Sequence, residues 1–457
     1  MTGEDDFATG RMLPLLLRMA APAIAAQTVN MLYGLVDRIF IGHIEGIGAT
    51  ALAGVGICNT IIVIVAAFAQ FVGGGGAPLT AIELGRGNRE EARRLFGNGV
   101  SLLLVFALVA MAVTYLAMDP LLRLVGASDA TLPYARDYLS VYLLGTPLVM
   151  VTVGLNPFIN VEGKPIVAML SVLIGAGLNM VLDPILIFVA GLGVRGAALA
   201  SVISQGASAA WILHFFLRGE RTLRLGRGCL ERGGLGLDGH SVRKILSLGI
   251  SPFAMSSTEG IIGLVMNSGL ATYGDLYVST LTVMQSTMMI CSVPLSGFET
   301  GVTPVISYNY GRRDWGRVRE AFRIVFTVSS LANFLLNLLM ILFPGVFARL
   351  FTTDADLVAS VSRTLPMFLT GMLLFGMQRA CQTMFVALNQ PRVSLFVALL
   401  RKIFLLVPLA LILPRFVGVM GIYLAEPIAD ATAATVCMTI FAKNFRGLLW
   451  AGSDRAR

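Results

Sequence analysis

Long apolar stretches are the feature that most limits how this chain can fold. Residues 101–118, 165–190 and 394–413 contain few or no charged side chains. A helix needs about 20 such residues to cross a hydrocarbon core of about 30 Å. The chain is 56% hydrophobic and only 13% charged, with a mean hydropathy of +0.80. Soluble proteins carry about 25% charged residues. The sequence therefore predicts an all-α integral membrane protein.

Breaks between the apolar runs predict about twelve transmembrane helices. They are placed near residues 14–41, 51–82, 96–118, 133–158, 165–190, 195–217, 243–272, 278–308, 321–343, 360–386, 392–413 and 418–442. The first run is too long for a signal peptide, and Glu4, Asp5 and Asp6 stand where such a peptide is basic. We therefore expect the first run to be a retained span.

Basic residues alternate between the predicted loops. Even-numbered loops carry clusters such as Arg86, Arg89, Arg93 and Arg94, whereas odd-numbered loops carry isolated cations such as Arg123. The positive-inside rule then predicts that both termini lie on the cytoplasmic side of a bacterial inner membrane. The net charge of +8 is divided among alternate loops. We therefore expect no nucleic-acid partner.

The two halves of the chain are similar to each other. Pro78 and Pro304 lie in matching sequence contexts, as do Gly85 and Gly311, and both pairs are 226 positions apart. We expect an N-lobe at 1–217, a cytoplasmic linker at 218–242 and a C-lobe at 243–457. An even number of spans in each half gives two parallel lobes related by a pseudo-twofold axis along the membrane normal. That plan, with a site between the lobes, is typical of secondary transporters.

Four segments resemble signatures of the multidrug and toxic compound extrusion (MATE) family. They are residues 30–42 (NMLYGLVDRIFIG), 178–184 (LNMVLDP), 196–201 (GAALAS) and 304–311 (PVISYNYG). The chain is most similar to the bacterial multidrug exporters typical of Gram-positive species. The resemblance implies export of organic cations in exchange for protons or sodium ions.

Five oxygen-bearing side chains of the N-lobe are predicted to share one depth in the membrane. Counting 1.5 Å per residue along four spans places Asp37, Tyr138, Asn179, Asp183 and Ser201 in the same half of the bilayer. Carboxylates inside a membrane are functional candidates by default, and this cluster is suited to a proton or sodium ion. The alternative is a set of polar groups that only join helices. The family resemblance implies an ion site at four of them, with Ser201 in place of the usual Thr.

The second lobe lacks that cluster, since Asn267 stands where the repeat aligns with Asp37. Its acid in the seventh span is Glu259. The family's sodium-linked branch pairs this acid with a second one in the tenth span, where this chain has Arg379. Two hypotheses stay open for Glu259: a structural ion pair with Arg379, or an anionic contact for a cationic drug.

Two further groups are candidates for lining a drug cavity, although ordinary packing is the alternative for both. One is a flexible methionine-rich segment of the eighth span, and the other is a polar set in the N-lobe. The candidates are Met284, Gln285 and Met288, and Gln27, Tyr33, Asn156 and Asn160. Pro22 and Pro252 occupy repeat-related places inside helices, where proline permits a bend that protonation could control.

No catalytic or metal-binding motif is found. The cysteines are scattered singly, and His43, His214 and His240 lie far apart in the sequence. We expect no enzyme activity, no metal and no cofactor beyond the coupling ion. The sequence thus predicts a monomeric antiporter that contacts membrane lipids and exports small organic cations. A flippase for lipid-linked precursors is the alternative, and its cavity would need several Arg or Lys.

Overall fold

Helices make up nearly all of the chain that the structure describes. The computed structural model describes residues 3–44, 46, 48–218, 222–225 and 237–450. Most of the predicted linker, at 219–221 and 226–236, and the C-terminal residues 451–457 lie outside the described residues. The division into lobes at 217 and 243 stays a prediction.

Ten helices of the described chain are long and apolar enough to cross a membrane, and two bent helix pairs bring the number to twelve. In chain order they are α1 Met12–Gly42, α2 Thr50–Gly85, α3 Arg89–Leu116, α4 Leu132–Leu144 with Thr146–Val161, α5 Pro165–Val189, α6 Gly193–Leu217, α7 Gly239–Ala271, α8 Leu276–Gly311, α9 Trp315–Leu342, α10 Ala355–Leu369 with Gly371–Ala387, α11 Pro391–Val417 and α12 Met420–Phe445. Each predicted span falls on one of these segments. The predicted all-helical membrane fold is confirmed.

Helix starts follow the chemistry of their capping residues. Asn88 accepts a hydrogen bond from the Glu91 amide at the start of α3, over 3.2 Å. Asp314, 226 positions later, accepts one from the Arg317 amide at the start of α9, over 3.1 Å. Such side chains satisfy amides that have no partner within the helix. Both halves therefore begin their third helix in the same way.

Unusual backbone conformations recur at the same 226-residue offset. Gly87 and Arg313 have φ of 80° and 60°, and Gly163 and Asn389 have φ of 70° and 55°. Non-glycine residues seldom adopt positive φ, and Asn is among those that tolerate it best. The agreement of these turns supports the internal repeat.

Both bent spans also break at matching places. The two segments of α4 meet at 59° around Gly145, and those of α10 meet at 41° next to Gly371. These glycines are 226 positions apart. The repeat therefore extends to the irregular parts of the fold.

The two halves share hydrophobic cores at the end of the bundle where α1 begins and α12 ends, which we call the terminal face. One core joins Ile245 and Leu248 of α7 to apolar side chains of α2, α3, α4 and α6. Another joins Met12 and Leu16 of α1 to apolar side chains of α8, α9 and α10. Each half thus supports the first helix of the other.

Glycines allow the halves to touch closely at the terminal face. A Cβ on Gly85 would lie 2.0 Å from the carbonyl oxygen of Tyr308, and a Cβ on Gly311 would lie 2.0 Å from that of Ile82. Helices α2 and α8 therefore cross backbone to backbone. The structure has its two halves closed together at this face.

The four-glycine run forms another close contact. Phe71–Gly76 adopts a π-helical turn inside α2. A Cβ on Gly75 would meet the Ile245 carbonyl oxygen at 2.4 Å, and one on Gly74 would meet Pro252 at 2.7 Å. Pro252 of α7 thus packs against this turn, and Pro22 lies inside α1. Their role in bending stays a prediction.

Candidate functional site

The structure brings the predicted N-lobe cluster together in the half of the bundle away from the terminal face. Asp37 is 8% exposed and Asp183 is fully buried, on the packed helices α1 and α5. The Asn179 amide donates to Asp183 Oδ1 over 3.3 Å and lies 3.5 Å from Ser201 Oγ. Tyr138 is buried beside Ser201. All five side chains therefore belong to one buried polar group.

The two carboxyl groups of this cluster face each other. The Asp37 carboxyl lies against that of Asp183. Neither forms an ion pair with a Lys or Arg of the described chain. Two ionised carboxylates have only acceptors, so their contact becomes a hydrogen bond only when one of them is protonated. The pair is therefore arranged to hold a proton.

Three oxygens of the cluster are buried without a hydrogen-bond partner among the described residues. They are Oδ1 of Asp37, Oδ2 of Asp183 and Oδ1 of Asn179. A buried acceptor left unmatched costs about 1–3 kcal/mol. A proton shared between the carboxyls, or a small cation held by these oxygens, would relieve that cost. The oxygens as they stand suit a proton between the carboxyls, and they suit a sodium ion once the Asn179 amide oxygen turns toward it.

Two tyrosines extend the cluster. Tyr33, one helical turn before Asp37 on α1, lies beside the Ser201 hydroxyl. Tyr142 stacks on Tyr138, with ring centroids 5.8 Å apart. Tyr33 is one of the predicted cavity residues, whereas Tyr142 is not among the predicted site residues. The spacing of Tyr138 and Tyr142, one turn apart on α4, could have indicated it.

A cavity of about 410 Å³ adjoins the cluster. Its lining includes all four polar candidates from the N-lobe: Gln27, Tyr33, Asn156 and Asn160. The C-lobe half contributes Ser256 of α7 and Thr300 of α8. Among the described residues that line it, none carries a formal charge. Tyr33 belongs to both the cavity and the carboxyl cluster, so the two are contiguous.

The methionine candidates lie elsewhere. Met284 is fully buried in the C-lobe core, where its sulfur accepts the Thr364 hydroxyl over 3.3 Å. Met288 packs against the same core, and Gln285 is half-buried. None of the three lines the cavity. This cavity therefore gives no support to a methionine-lined wall, which stays a prediction, and Met284 packs between α8 and α10.

Glu259 also lies outside the cavity lining, and its partner differs from the one expected. It forms an ion pair with Lys402 of α11. Arg379 pairs instead with Glu299 of α8, which the sequence analysis did not identify. The hypothesis that Glu259 forms an ion pair with Arg379 is therefore wrong, whereas the hypothesis of a contact with a cationic drug stays open. Glu299 lies in α8, 80 residues before Arg379, and no sequence pattern links two residues so far apart.

The comparisons with known proteins agree with this architecture. The MatE family profile matches residues 22–185 and 253–412, one segment in each half. The chain belongs to the MatE family. The resemblance in its signature segments is thereby confirmed.

Relatives and solved structures match this MatE protein over nearly its full length. The multidrug export protein MepA of Staphylococcus haemolyticus is 26% identical over 95% of this chain and 94% of its own length. MepA of Staphylococcus aureus strain MW2 is 25% identical over 93% and 92%.

The solved structures share the fold. A MATE protein in complex with MaD3S is 23% identical, with a TM-score of 0.88 over 97% of this chain and 98% of its own. A multidrug resistance MATE transporter in an outward-facing conformation is 23% identical, with a TM-score of 0.86 over 96% and 99%. The two-lobe, multi-pass membrane architecture is thus shown.

Proposed function

We propose that this protein is a secondary active antiporter that exports cationic or amphipathic small molecules in exchange for protons, with sodium ions as competitors. The observation that carries the proposal is the Asp37–Asp183 carboxyl pair, buried without a cationic partner in the described chain and joined to the cavity through Tyr33. The names of the staphylococcal relatives, multidrug export proteins, support it.

The chemistry of exchange follows from one shared negative charge. With at most one proton on the pair, the carboxyls attract a cationic substrate toward the cavity. Each further proton removes a negative charge and weakens that attraction. A cationic substrate and a proton therefore compete for the same site, which is the requirement for antiport.

The cavity itself suits varied substrates. Its amide and hydroxyl groups can donate or accept hydrogen bonds, and Tyr33 offers an aromatic face to a cation. Asn160 Oδ1 and Ser204 Oγ are buried there without partners in the described structure. Such neutral groups can turn to form hydrogen bonds with different substrates, so binding does not depend on a fixed charge in the cavity wall. The same lining disfavours a flippase, because no Arg or Lys of the described chain reaches it to hold a pyrophosphate.

We place the protein in a bacterial inner membrane, as a monomer surrounded by lipid, with the terminal face in the cytoplasm. The positive-inside rule supports this orientation. Alternating access then means that the closed terminal face opens toward the cytoplasm to load the substrate and closes to release it outside.

Transport by purified protein in liposomes tests the proposal. We expect ethidium to move against its gradient when a pH gradient is imposed, and this movement to disappear in Asp37→Asn. Asp129→Asn, the same change at a carboxylate that is 89% exposed and does not line the cavity, is the matched control. Ethidium movement that is equal in the wild type, Asp37→Asn and empty liposomes would refute antiport.

A further inference from the structure

Among the described residues of the C-lobe, seven charged side chains of α7, α8, α10, α11 and α12 form ion pairs with one another, and only Glu259 and Arg379 were candidates from the sequence. The acids are Glu259, Glu299, Glu426 and Asp430, and the bases are Arg379, Arg401 and Lys402. Two of the bases form simple pairs, Arg379 with Glu299 and Lys402 with Glu259. The charges of those pairs cancel.

The third base has two acidic partners. Arg401 Nη2 lies 3.1 Å from Glu426 Oε1, and Arg401 Nε donates to Asp430 Oδ1. Glu426 and Asp430 are one turn apart on α12, so both reach one guanidinium. If every group is ionised, this triad carries one negative charge that no described cation balances.

That excess charge is deeply buried. The side chains of Arg401, Glu426 and Asp430 are 12%, 6% and 0% exposed. An unbalanced charge in such a place is costly, and proteins neutralise it instead. Asp430 Oδ2 is buried and has no hydrogen-bond partner among the described residues, so one carboxylate oxygen of the triad is free to be neutralised.

A small void lies beside Arg401, the base of the triad. Its polar lining is Gln378, Arg379, Gln382, Arg401 and Lys402, and the charge of Arg379 is balanced by Glu299. The Gln382 amide nitrogen donates to the Ser394 carbonyl over 3.1 Å, which fixes Gln382 Oε1 as the free acceptor. Gln378 Oε1 is unpartnered too within the described chain. Two acceptors beside a void of about 20 Å³ suit one water molecule.

The void leads toward an exposed group. Lys402 lines the void and is itself 5% exposed, whereas its partner Glu259 is 64% exposed. Glu259 follows Ser256, a cavity-lining residue, by three positions on α7, so both lie on one face of that helix. Polar side chains therefore lead from the exposed Glu259, through Lys402 and the void, to Arg401.

We propose that Arg401, Glu426 and Asp430 form a second proton-binding site, in the C-lobe. A hydronium ion that arrives past the exposed Glu259 breaks its O–H bond and becomes water, and its proton forms an O–H bond with one carboxylate of Glu426 or Asp430. The proton returns to water by the same route. The charges that face the triad from α7 and α11 are Glu259 and Lys402, which balance each other. A sodium ion is disfavoured, because the Arg401 guanidinium occupies the space between the carboxyls and repels a second cation.

Infrared spectroscopy of the purified full-length protein tests this site independently of transport. The Asp37→Asn/Asp183→Asn background removes the N-lobe carboxyls. In that background at neutral pH we expect the carbonyl band of a protonated carboxyl, shifted to lower frequency in D₂O. Adding Asp430→Asn or Glu426→Gln should abolish the band, because each leaves Arg401 with one carboxylate partner. A band that neither substitution alters, or no band at all, would overturn the proposal.

Thermal unfolding gives a second test. Asp430→Asn removes only the excess charge, whereas Glu299→Gln leaves Arg379 without its counter-charge. We therefore expect Glu299→Gln to lower the unfolding temperature more than Asp430→Asn or Glu426→Gln. The double variant Glu426→Gln/Asp430→Asn should unfold at a lower temperature than either single variant. The reverse order would show that both carboxylates are needed as ionised partners, and the site would be a structural triad.

Discussion

At the scale of single residues, the N-lobe carboxyls give the sharpest expectation. Asp37→Asn and Asp183→Asn should each abolish drug export while leaving the protein folded, since each removes one of the two groups that share the proton. Drug resistance and expression level of cells carrying each variant measure this. Asn267→Ala, at the repeat position that matches Asp37, is the matched control and should retain most of the activity. Wild-type resistance in both Asp variants would place the coupling site elsewhere.

The Glu259–Lys402 pair gives a different kind of expectation. Glu259→Gln leaves the buried Lys402 ammonium without its carboxylate, at a cost of about 1–3 kcal/mol. The exposure of Glu259 keeps that cost at the lower end, because water screens the pair. Thermal unfolding of the purified variant measures it.

The double variant Glu259→Gln/Lys402→Met separates the two hypotheses for Glu259. If the acid is structural, removing both charges should restore the unfolding temperature and transport together. If Glu259 contacts a cationic substrate, the double variant should stay folded yet bind cationic substrates less well than neutral ones. Full recovery of cation binding would exclude the substrate contact.

Sequence reasoning located the N-lobe cluster because each of its residues lies at a countable depth on a regular helix. Rise per residue placed Asp37 and Asp183 at one depth, and the family resemblance implied that they share a site. The ion-pair partners of Glu259 and Arg379 could not be predicted from the sequence. They depend on the rotational orientation of α7, α8, α10 and α11 about their own axes. Met284 could not be placed for the same reason: depth along α8 says nothing about which side faces the cavity.

At the scale of helices, the glycine crossing of α2 and α8 should control the state of the terminal face. A methyl group on Gly85 or Gly311 would lie 2.0 Å from a backbone carbonyl oxygen across the crossing. Backbone cannot move aside as a side chain can. We therefore expect Gly85→Ala and Gly311→Ala to shift the protein toward a conformation open at that face.

Distances between spin labels on α2 and α8 near the terminal face would measure the shift. Gly177→Ala is the matched control, because a Cβ at Gly177 on α5 meets nothing within 4 Å. Its distance distribution should match that of the wild type. If Gly85→Ala and Gly311→Ala also keep the wild-type distances, the crossing does not determine closure.

Helix positions were predictable because a membrane demands long apolar runs, and each of the twelve appears. The breaks within α4 and α10 were not predicted. Both contain proline near the bend, at Pro147 and Pro366, but proline inside an apolar run does not distinguish a straight span from a broken one. The 226-residue offset of Gly145 and Gly371 becomes informative only once one break is known.

At the scale of the whole molecule, the orientation in the membrane is a prediction from charge. We expect the terminal face and the linker to be cytoplasmic. A cysteine at position 224, introduced into a cysteine-free background, should react with a membrane-impermeant reagent only after the cells are opened. Labelling of position 224 in intact cells would show that the protein has the opposite orientation, and the proposed direction of export would then be wrong.

The coupling ion is the last expectation at this scale. Energetics does not choose, because exporting a monovalent cation against 100 mV costs about 2.3 kcal/mol and one entering proton or sodium ion offsets it. A pH gradient adds about 1.4 kcal/mol per unit for each proton. The choice must therefore come from the chemistry of the site.

Two features of the site favour the proton. The Asn179 amide donates to Asp183, whereas a sodium ion would need the amide oxygen turned toward it. The Asp37 and Asp183 carboxyls lie against each other, a contact that a shared proton turns into a hydrogen bond. We expect efflux from proteoliposomes to respond to a pH gradient imposed alone, and added sodium at symmetric pH to compete rather than to drive. Efflux driven by an inward sodium gradient, with no response to a pH gradient, would show that sodium and not the proton is the coupling ion. The Asn179 side chain would then have to turn, because only sodium coordination uses its amide oxygen.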